Sequence, residues 1–242
     1  MLEGGPDVRA VRIELALLAL CVVAGLGCEA MGLRVPDYHP QIDPSNFQET
    51  VDNPYYPLVP GTTFRYIEND RGEVSEEVVT VTHDTKTIMG VKCIGVHDTV
   101  MKDGKVAEDT YDWIAQDKQG NVWHLGEDTE EISPGGMVST MGSWESGVNG
   151  GQPGILMPGD PKPGAPYRQE YERGEAEDMA QIVALNESVT VPAGTYTGCV
   201  KTLDWSLLEA GSENKWYAKG VGVVKTLAID GTTQELISVT SP

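Results

Sequence analysis

Basic residues, cysteines and catalytic motifs are all scarce in this sequence of 242 residues. It has 17 Lys and Arg against 37 Asp and Glu, which gives a formal net charge of −20. We therefore expect no nucleic-acid partner, because phosphate binding needs a basic surface. The four cysteines form no CxxC or zinc-type spacing, so no structural zinc site is predicted.

The common catalytic signatures are absent as well. There is no GxSxG nucleophile elbow, no HExxH pair, no Walker loop and no GxGxxG between a strand and a helix. The nearest stretch is KWYAKGVGVVKT, residues 215–226, where Gly220 and Gly222 lack a third glycine and precede valines. We interpret these two glycines as a bend in a strand. The sequence therefore predicts a protein without catalytic residues, cofactor or bound metal.

The N-terminus has the layout of an export signal. Arg9 and Arg12 precede an apolar run, residues 15–27, that is too short to span a bilayer with ease. The run leads into GLGC, residues 25–28, which resembles the bacterial lipobox, whose cysteine becomes the lipidated first residue of the mature chain. We predict an exported protein of the cell envelope, periplasmic or on the surface, that reaches the membrane only through a lipid on Cys28. Cleavage by the ordinary signal peptidase, with Cys28 unmodified, is the alternative.

Composition divides the chain into three parts. Residues 1–27 are the predicted signal peptide. Residues 28–53 are rich in proline and polar side chains without helical or strand periodicity, and we interpret them as a tether followed by a docking segment. Residues 54–242 remain, which is enough chain for one domain with a proper core.

Alternation and turns predict an antiparallel sheet in residues 54–242. β-Branched residues crowd between turn signals that recur about every dozen residues. The clearest turns are KDGK at residues 102–105, DKQG at 117–120 and the Asp-Gly pair at 230–231. Only residues 174–185 have a pattern that fits a helix, and they fit a strand equally well. The predicted fold is all-β, a single curved antiparallel sheet or a half-open barrel.

A long segment rich in glycine and proline, here called the flap, interrupts the strands. Residues 134–166 hold nine Gly and six Pro, yet they include Met141, Trp144 and Met157. Disordered segments seldom keep such apolar residues, so we predict an ordered flap that packs on the sheet.

Five tryptophans and the flap suggest a binding surface. Aromatic side chains on a curved sheet line apolar pockets, and here the flap would close the pocket. The alternative is that these side chains simply fill the core. The predicted ligand-binding residues are Trp113, Trp123, Met141, Trp144, Met157, Trp205 and Trp216.

The predicted mature chain has three cysteines, and Cys93 and Cys199 remain once Cys28 is assigned to the lipid. In an oxidising compartment they are able to form a disulfide. Two buried thiols that pack as small hydrophobic side chains are the alternative, and the sequence leaves both open.

Two His-Asp pairs offer the one pattern that resembles a catalytic metal site. His83-Asp84 and His97-Asp98 lie near one predicted hairpin. Neighbouring residues of a strand point to opposite faces, so neither pair converges by itself. A metal-dependent hydrolase that uses His83, His97 and Asp98 is kept as an alternative function, and no metal is assigned.

A hairpin motif occurs once, in AQDKQGNVWHLG, residues 115–126. It resembles the hairpin of β-propeller blades and Asp-box repeats, with Asp117, Gly120 and Trp123 at the matching places. Propellers need the motif several times, so we interpret it as a single structural hairpin.

Nearly all the chain after Gln41 carries distinctive stretches: IDPSNF, VDNPYYPLVPGTTFRY, WIAQDKQGNVWHLGED, GSWESGVNGGQPGILMPGDP, and VPAGTYTGC followed by KWYAKGVGVVK. Together they resemble a family of bacterial exported proteins and lipoproteins without a known activity. The C-terminal stretch is also similar to closing strands of LolA-like and LolB-like envelope proteins. That resemblance implies a curved antiparallel sheet around an apolar cavity, although this sequence lacks clear helices to plug it.

These observations lead to one expected function. We expect an exported, lipid-anchored protein that is not an enzyme and that binds an apolar or amphipathic small molecule, or an envelope protein, on the concave face of its sheet. Besides the hydrolase, the alternative is a purely structural surface lipoprotein with the flap folded down.

Overall fold

A computed structural model describes residues 38–242, so the predicted signal peptide and Cys28 lie outside the described residues. No helix within this range is long and apolar enough to cross a membrane. The range forms one short 3₁₀ helix, η1, and eighteen strands, β1 to β18. In chain order these are Pro44–Asn46 (η1), Phe47–Gln48 (β1), Val51–Asn53 (β2), Tyr56–Leu58 (β3), Thr63–Asp70 (β4), Glu73–Ile88 (β5), Val91–Lys102 (β6), Lys105–Asp117 (β7), Val122–Ile132 (β8), Val138–Ser139 (β9), Trp144–Glu145 (β10), Gln152–Met157 (β11), Tyr167–Arg168 (β12), Glu170–Tyr171 (β13), Asp178–Val191 (β14), Gly194–Ser206 (β15), Glu213–Ala218 (β16), Gly222–Ala228 (β17) and Thr233–Thr240 (β18).

One large antiparallel sheet, nearly closed into a barrel, accounts for almost all of these strands. Its neighbours run in the order β12-β14-β15-β16-β17-β18-β4-β5-β6-β7-β8-β11-β13. Consecutive strands are neighbours through most of the sheet, and β18 pairs with β4 to join the two ends of the domain. The predicted all-β fold with a curved antiparallel sheet or half-open barrel is confirmed.

The barrel has one seam at which the two end strands of the sheet, β12 and β13, are not paired with each other. This seam runs along residues 167–171. Within this segment β12 pairs with β14 and β13 pairs with β11, so consecutive pieces of chain hold the two edges of the sheet. Gly154 on β11 makes this close approach possible. A Cβ at Gly154 would lie 2.1 Å from the carbonyl carbon of Gln169 and 2.4 Å from the nitrogen of Glu170. Only glycine fits there, because any other side chain would overlap the backbone.

Turn residues form the expected hairpins. Asp103 and Gly104 both have positive φ, 53° and 71°, as a two-residue turn with the right-handed twist of its strands requires. Residues from Asp178 onward form β14, because they pair along their length with β15. Gly220 and Gly222 were interpreted from the sequence as a bend within one strand. Gly220 instead lies in the turn between β16 and β17, and Gly222 is the first residue of β17. Their φ values of 78° and 107° are left-handed, which glycine adopts without a steric penalty.

The flap is ordered and lies along β8. Its strands β9, β10 and β11 pair in turn with successive parts of β8, so the flap forms the edge of the sheet there. Trp144 and Met157 are buried, whereas Met141 is 62% exposed. Met141 therefore contributes little to packing, and Trp144 and Met157 hold the flap down.

Apolar side chains fill one half of the barrel. This core is closed at one end by Val51 and Leu58 of β2 and β3. A smaller cluster with Ile88 and Leu125 packs separately, and Phe47 of the segment predicted to dock lies against it. In addition, β1 of this segment pairs with β7. The described part of the predicted docking segment is therefore folded against the barrel.

Both remaining cysteines are free and buried. Cys93 belongs to the smaller cluster with Ile88, and Cys199 belongs to the barrel core. The structure therefore has the second of the two arrangements that the sequence left open, in which each thiol packs as a small hydrophobic side chain.

Candidate functional site

The second half of the barrel interior carries carboxylates. Directly paired residues of antiparallel strands project from the same face of the sheet. The register pairs Glu77 with Tyr66 of the core and Asp204 with the fully buried Ala180, which places both acids on the inner face. The same alternation places Glu68, Asp98 and Asp178 on the inner face. We call these five carboxylates together the acidic layer: Glu68, Glu77, Asp98, Asp178 and Asp204.

Two carboxyl groups of the acidic layer contact each other. Glu77 on β5 and Asp98 on β6 are hydrogen-bonded through their carboxyls, which requires a shared proton. Burial first, and then the charge of Glu77, raises the pKa of Asp98 well above its usual range. Gln234 also donates its amide to Glu77. Asp98 Oδ1 is buried and has no hydrogen-bond partner among residues 38–242.

The other acids of the layer are also easier to protonate than in water. Burial raises the pKa of Asp178 to about 7, and the charge of Glu170 adds to the effect. Burial likewise raises the pKa of Glu68 to about 7, against a hydrogen bond from Ser75 that lowers it. The layer therefore changes its charge close to neutral pH.

Lys215 is the principal cation beside the acidic layer. Its Nζ lies 3.0 Å from Glu213 Oε1 and 3.5 Å from Asp204 Oδ2. Burial alone would lower the pKa of Lys215, but the surrounding carboxylates outweigh burial and raise it well above the usual range. Lys215 thus stays charged and compensates only part of the acidic layer.

His124 is a buried base at the edge of the interior near the seam. Its Nε2 lies 3.0 Å from Asp112 Oδ1 and its Nδ1 lies 3.4 Å from Glu170 Oε2. Burial would lower the pKa of His124, but the two carboxylates outweigh it and raise the pKa to about 10. Trp144 of the flap covers the imidazole edge to face, with ring centroids 5.1 Å apart. The flap therefore shields this group from solvent.

Asp112, His124 and Glu127 form a compact group of possible metal ligands. Their ligand atoms all lie within 4.8 Å of one another. We call these three residues the His124 cluster. None of the three is a predicted site residue. Glu127 belongs to the acidic run GEDTEE, residues 126–131, which offers oxygen ligands but has the pattern of a solvated charge run.

The four tryptophans predicted on strands do not meet in one pocket. Register places all four on the outer face, because each lies between inward-facing neighbours on its strand. Trp113 donates to Asp128 on that outer face, at 2.8 Å. These four side chains therefore point away from the interior of the barrel. They are Trp113, Trp123, Trp205 and Trp216. Among the predicted ligand residues, only Trp144 lies beside the polar interior, at His124.

Two of the residues proposed for a hydrolase, His97 and Asp98, face opposite sides of the sheet. His97 is on the outer face, stacked on Tyr111 and with its Nε2 2.9 Å from Asp109 Oδ1. Asp98, the next residue, faces inward by the alternation of the strand. His97 and Asp98 therefore do not share a ligand or a substrate.

Asp117 stabilises the predicted hairpin between β7 and β8. Its Oδ1 accepts from the backbone of Gln119 and Asn121, both at 2.9 Å. Its Oδ2 accepts from the side chains of Asn121, at 2.8 Å, and Trp123, at 2.9 Å. A buried carboxylate with this many donors explains how Asp117 and Trp123 stabilise this single hairpin.

Comparison with models of protein families and with curated proteins finds no match. Among solved structures, the chain is similar to one described as "a putative lipoprotein from Parabacteroides distasonis ATCC 8503". The identity is 14% and the TM-score is 0.38, over 80% of this chain and 100% of that chain. A likeness at this level carries no argument about the function of the present chain.

Proposed function

We propose that the protein is an exported, lipid-anchored binding protein, without catalytic activity, that holds a small positively charged ligand against its acidic layer. The observation that carries the proposal is the excess of carboxylates inside one half of the barrel. Buried charges are expensive unless they are paired, and Lys215 pairs only with Glu213 and Asp204. An amine-bearing ligand would supply the missing positive charge.

Asp98 provides the sharpest anchor for such a ligand. Its Oδ1 is buried without a hydrogen-bond partner among the described residues, and an ammonium group is a donor with no acceptor to satisfy. A charge-assisted hydrogen bond to this oxygen would also favour ionisation of the Glu77–Asp98 pair. A small ligand is preferred over an envelope protein because these groups face the interior.

The apolar or amphipathic ligand expected from the sequence is the second candidate. It is favoured by Trp144, whose ring lies beside the polar interior. It is disfavoured by the apolar half of the barrel, where Val224, Leu236 and Met157 are fully buried in a filled core. An amphipathic amine would satisfy both the carboxylates and the tryptophan.

Binding of spermidine tests the ligand class. We expect Asp98→Asn to weaken spermidine binding about tenfold, since a hydrogen bond to a charged group is lost. Glu130→Gln is the matched control, because it removes the same charge from an exposed position on β8. The measurement is isothermal titration at constant salt, with decanoate as the apolar probe. Equal weakening of spermidine binding by both variants would mean that spermidine responds only to the overall negative charge. Binding of decanoate without binding of spermidine would support the second candidate, an apolar or amphipathic ligand.

The lipid anchor is tested separately at Cys28. We expect Cys28→Ser to move the exported protein from the membrane fraction to the soluble fraction, because the anchor is the predicted membrane contact. Cys199→Ser is the control, since Cys199 is buried in the barrel core. Fractionation of the bacterial envelope followed by mass measurement of the N-terminus gives the result. A membrane-bound Cys28→Ser variant would contradict the proposal.

A further inference from the structure

A β-bulge brings the His124 cluster together. His124 and Glu127 are three residues apart on β8, so in a regular strand they would point to opposite faces. Register shifts between β7 and β8: Trp113 is paired with Gly126, whereas Ile114 is paired with His124. Leu125 is the extra residue, and it turns into the smaller apolar cluster. His124 and Glu127 therefore share the inner face, opposite Asp112.

The imidazole of His124 is aimed into this cluster. His124 is 5% exposed, and its Nε2 has no hydrogen bond of good geometry among residues 38–242, although Asp112 Oδ1 lies 3.0 Å away. The other ring nitrogen, Nδ1, faces Glu170 Oε2 at 3.4 Å. A carboxylate on the second nitrogen of a histidine fixes the tautomer and the ring orientation in metal sites.

We propose that Asp112, His124 and Glu127 bind a first-row divalent cation such as Zn²⁺, with Glu170 as a positioning residue. One imidazole nitrogen with two carboxylate oxygens suits such a cation. Bonds of about 2.0–2.2 Å place neighbouring ligand atoms of a tetrahedral site about 3.3 Å apart, so the 3.0 Å between His124 Nε2 and Asp112 Oδ1 is close to the required spacing. A ligand oxygen of Glu127 lies within 4.8 Å of both atoms and has to move closer to join them.

Access to the cluster is compatible with exchange of the ion. The Asp112 side chain is 27% exposed, so the cluster reaches solvent on that side. Trp144 covers the imidazole on another side and limits water there. Three protein ligands would leave one coordination position for water or a further ligand.

This site uses other residues than the one proposed for the positively charged ligand, although the charge of Asp112 reaches Asp98. It uses Asp112, His124 and Glu127, whereas the ligand proposal depends on Asp98. The alternative is an ion-pair cluster only, in which a protonated His124 bridges Asp112 and Glu170.

The test is zinc binding by the full chain after treatment with a chelator. We expect one Zn²⁺ per chain, with affinity at least about tenfold lower in His124→Gln and in Glu127→Gln. His97→Gln is the matched control, because His97 also contacts an aspartate but lies on the outer face. Asp98→Asn should lower zinc affinity much less than His124→Gln or Glu127→Gln, because Asp98 is only an electrostatic neighbour of Asp112, and this separates the result from the spermidine experiment.

A spectroscopic measurement on the unaltered protein tests the site without depending on the folding of a variant. Co²⁺ bound to the unaltered protein should shift and broaden the ring signals of one histidine, assigned as His124 by its loss in His124→Gln. Signals of His97, which is not a ligand, should shift and broaden much less. Equal zinc affinity in His124→Gln and His97→Gln, or no stoichiometric binding, would overturn the proposal and leave an ion-pair cluster only.

Discussion

Raising the pH from 5 to 8 is expected to destabilise the folded domain by about 4 kcal/mol. Asp178 and Glu68 have pKa values of about 7 in the folded protein, raised by burial from usual values of 3.8 and 4.5. An acid with a raised folded pKa binds more protons folded than unfolded. Its stabilising effect is therefore complete below the usual pKa, falls as the pH rises from there, and is gone once the pH has passed through 7. The figure is reduced from the full linkage value because solvent screens part of both charges.

Further groups act in the same direction over this range. The pKa of Asp98 is raised by burial and by Glu77. The pKa of His124 is raised to about 10, against burial, by Asp112 and Glu170, so its contribution is complete below about 6.5 and falls as the pH rises toward 10. The acids with lowered pKa values, such as Asp230, lose their contribution only at lower pH.

Urea denaturation between pH 5 and 8 in the presence of a chelator measures this dependence. We expect Asp178→Asn to have a flatter pH profile and to be more stable than the unaltered protein at pH 8, because a buried charge is removed. Glu130→Gln, at an exposed position, should reproduce the unaltered profile. Stability that is constant or that rises from pH 5 to 8 would contradict the raised pKa values.

The fold was accessible from the sequence because its signals are local. The turn at Asp103-Gly104 and the alternation of β4 and β5 need only neighbouring residues to be recognised. The flap was predicted to be ordered because it keeps Trp144 and Met157, and both are indeed buried. Local patterns of this kind determine which segments are strands and where they turn.

The site was not accessible because it depends on register. Alternation predicts that successive residues face opposite sides, but it does not say which side is the interior. A bulge at Leu125 then reverses the assignment for His124 relative to Glu127. The tryptophans were assigned to the concave face by their size and apolar character, whereas the interior next to Asp98 is polar. Closure of the sheet, which joins β18 to β4, is what makes that interior.

Gly154→Ala is expected to destabilise the domain by about 3 kcal/mol or more, because an added methyl group would overlap the backbone rather than a flexible side chain. The nearest atom is the carbonyl carbon of Gln169, at 2.1 Å from the position of the Cβ. Residues 167–171 would have to move away from β11. That movement breaks the pairing of Pro153 with Glu170, at the seam of the barrel.

Gly164→Ala is the matched control in the same flap. A Cβ at Gly164 would lie 3.7 Å from the carbonyl oxygen of Lys162, an ordinary contact, and the residue is exposed. Urea denaturation should show a lower midpoint for Gly154→Ala and little change for Gly164→Ala. Equal stability of the two variants would mean that the segment does not lie against β11.

The same substitution connects the seam to the proposed metal site. Gly154 is paired with His124, and the chain that passes over Gly154 carries Glu170 to the imidazole. Displacement of that chain removes the carboxylate that orients His124 without changing any of the three proposed ligands. We therefore expect Gly154→Ala, under conditions where it remains folded, to lower zinc affinity about tenfold, as Glu170→Gln should. Unchanged zinc affinity in both variants would mean that the seam does not affect metal binding and that Glu170 does not position His124.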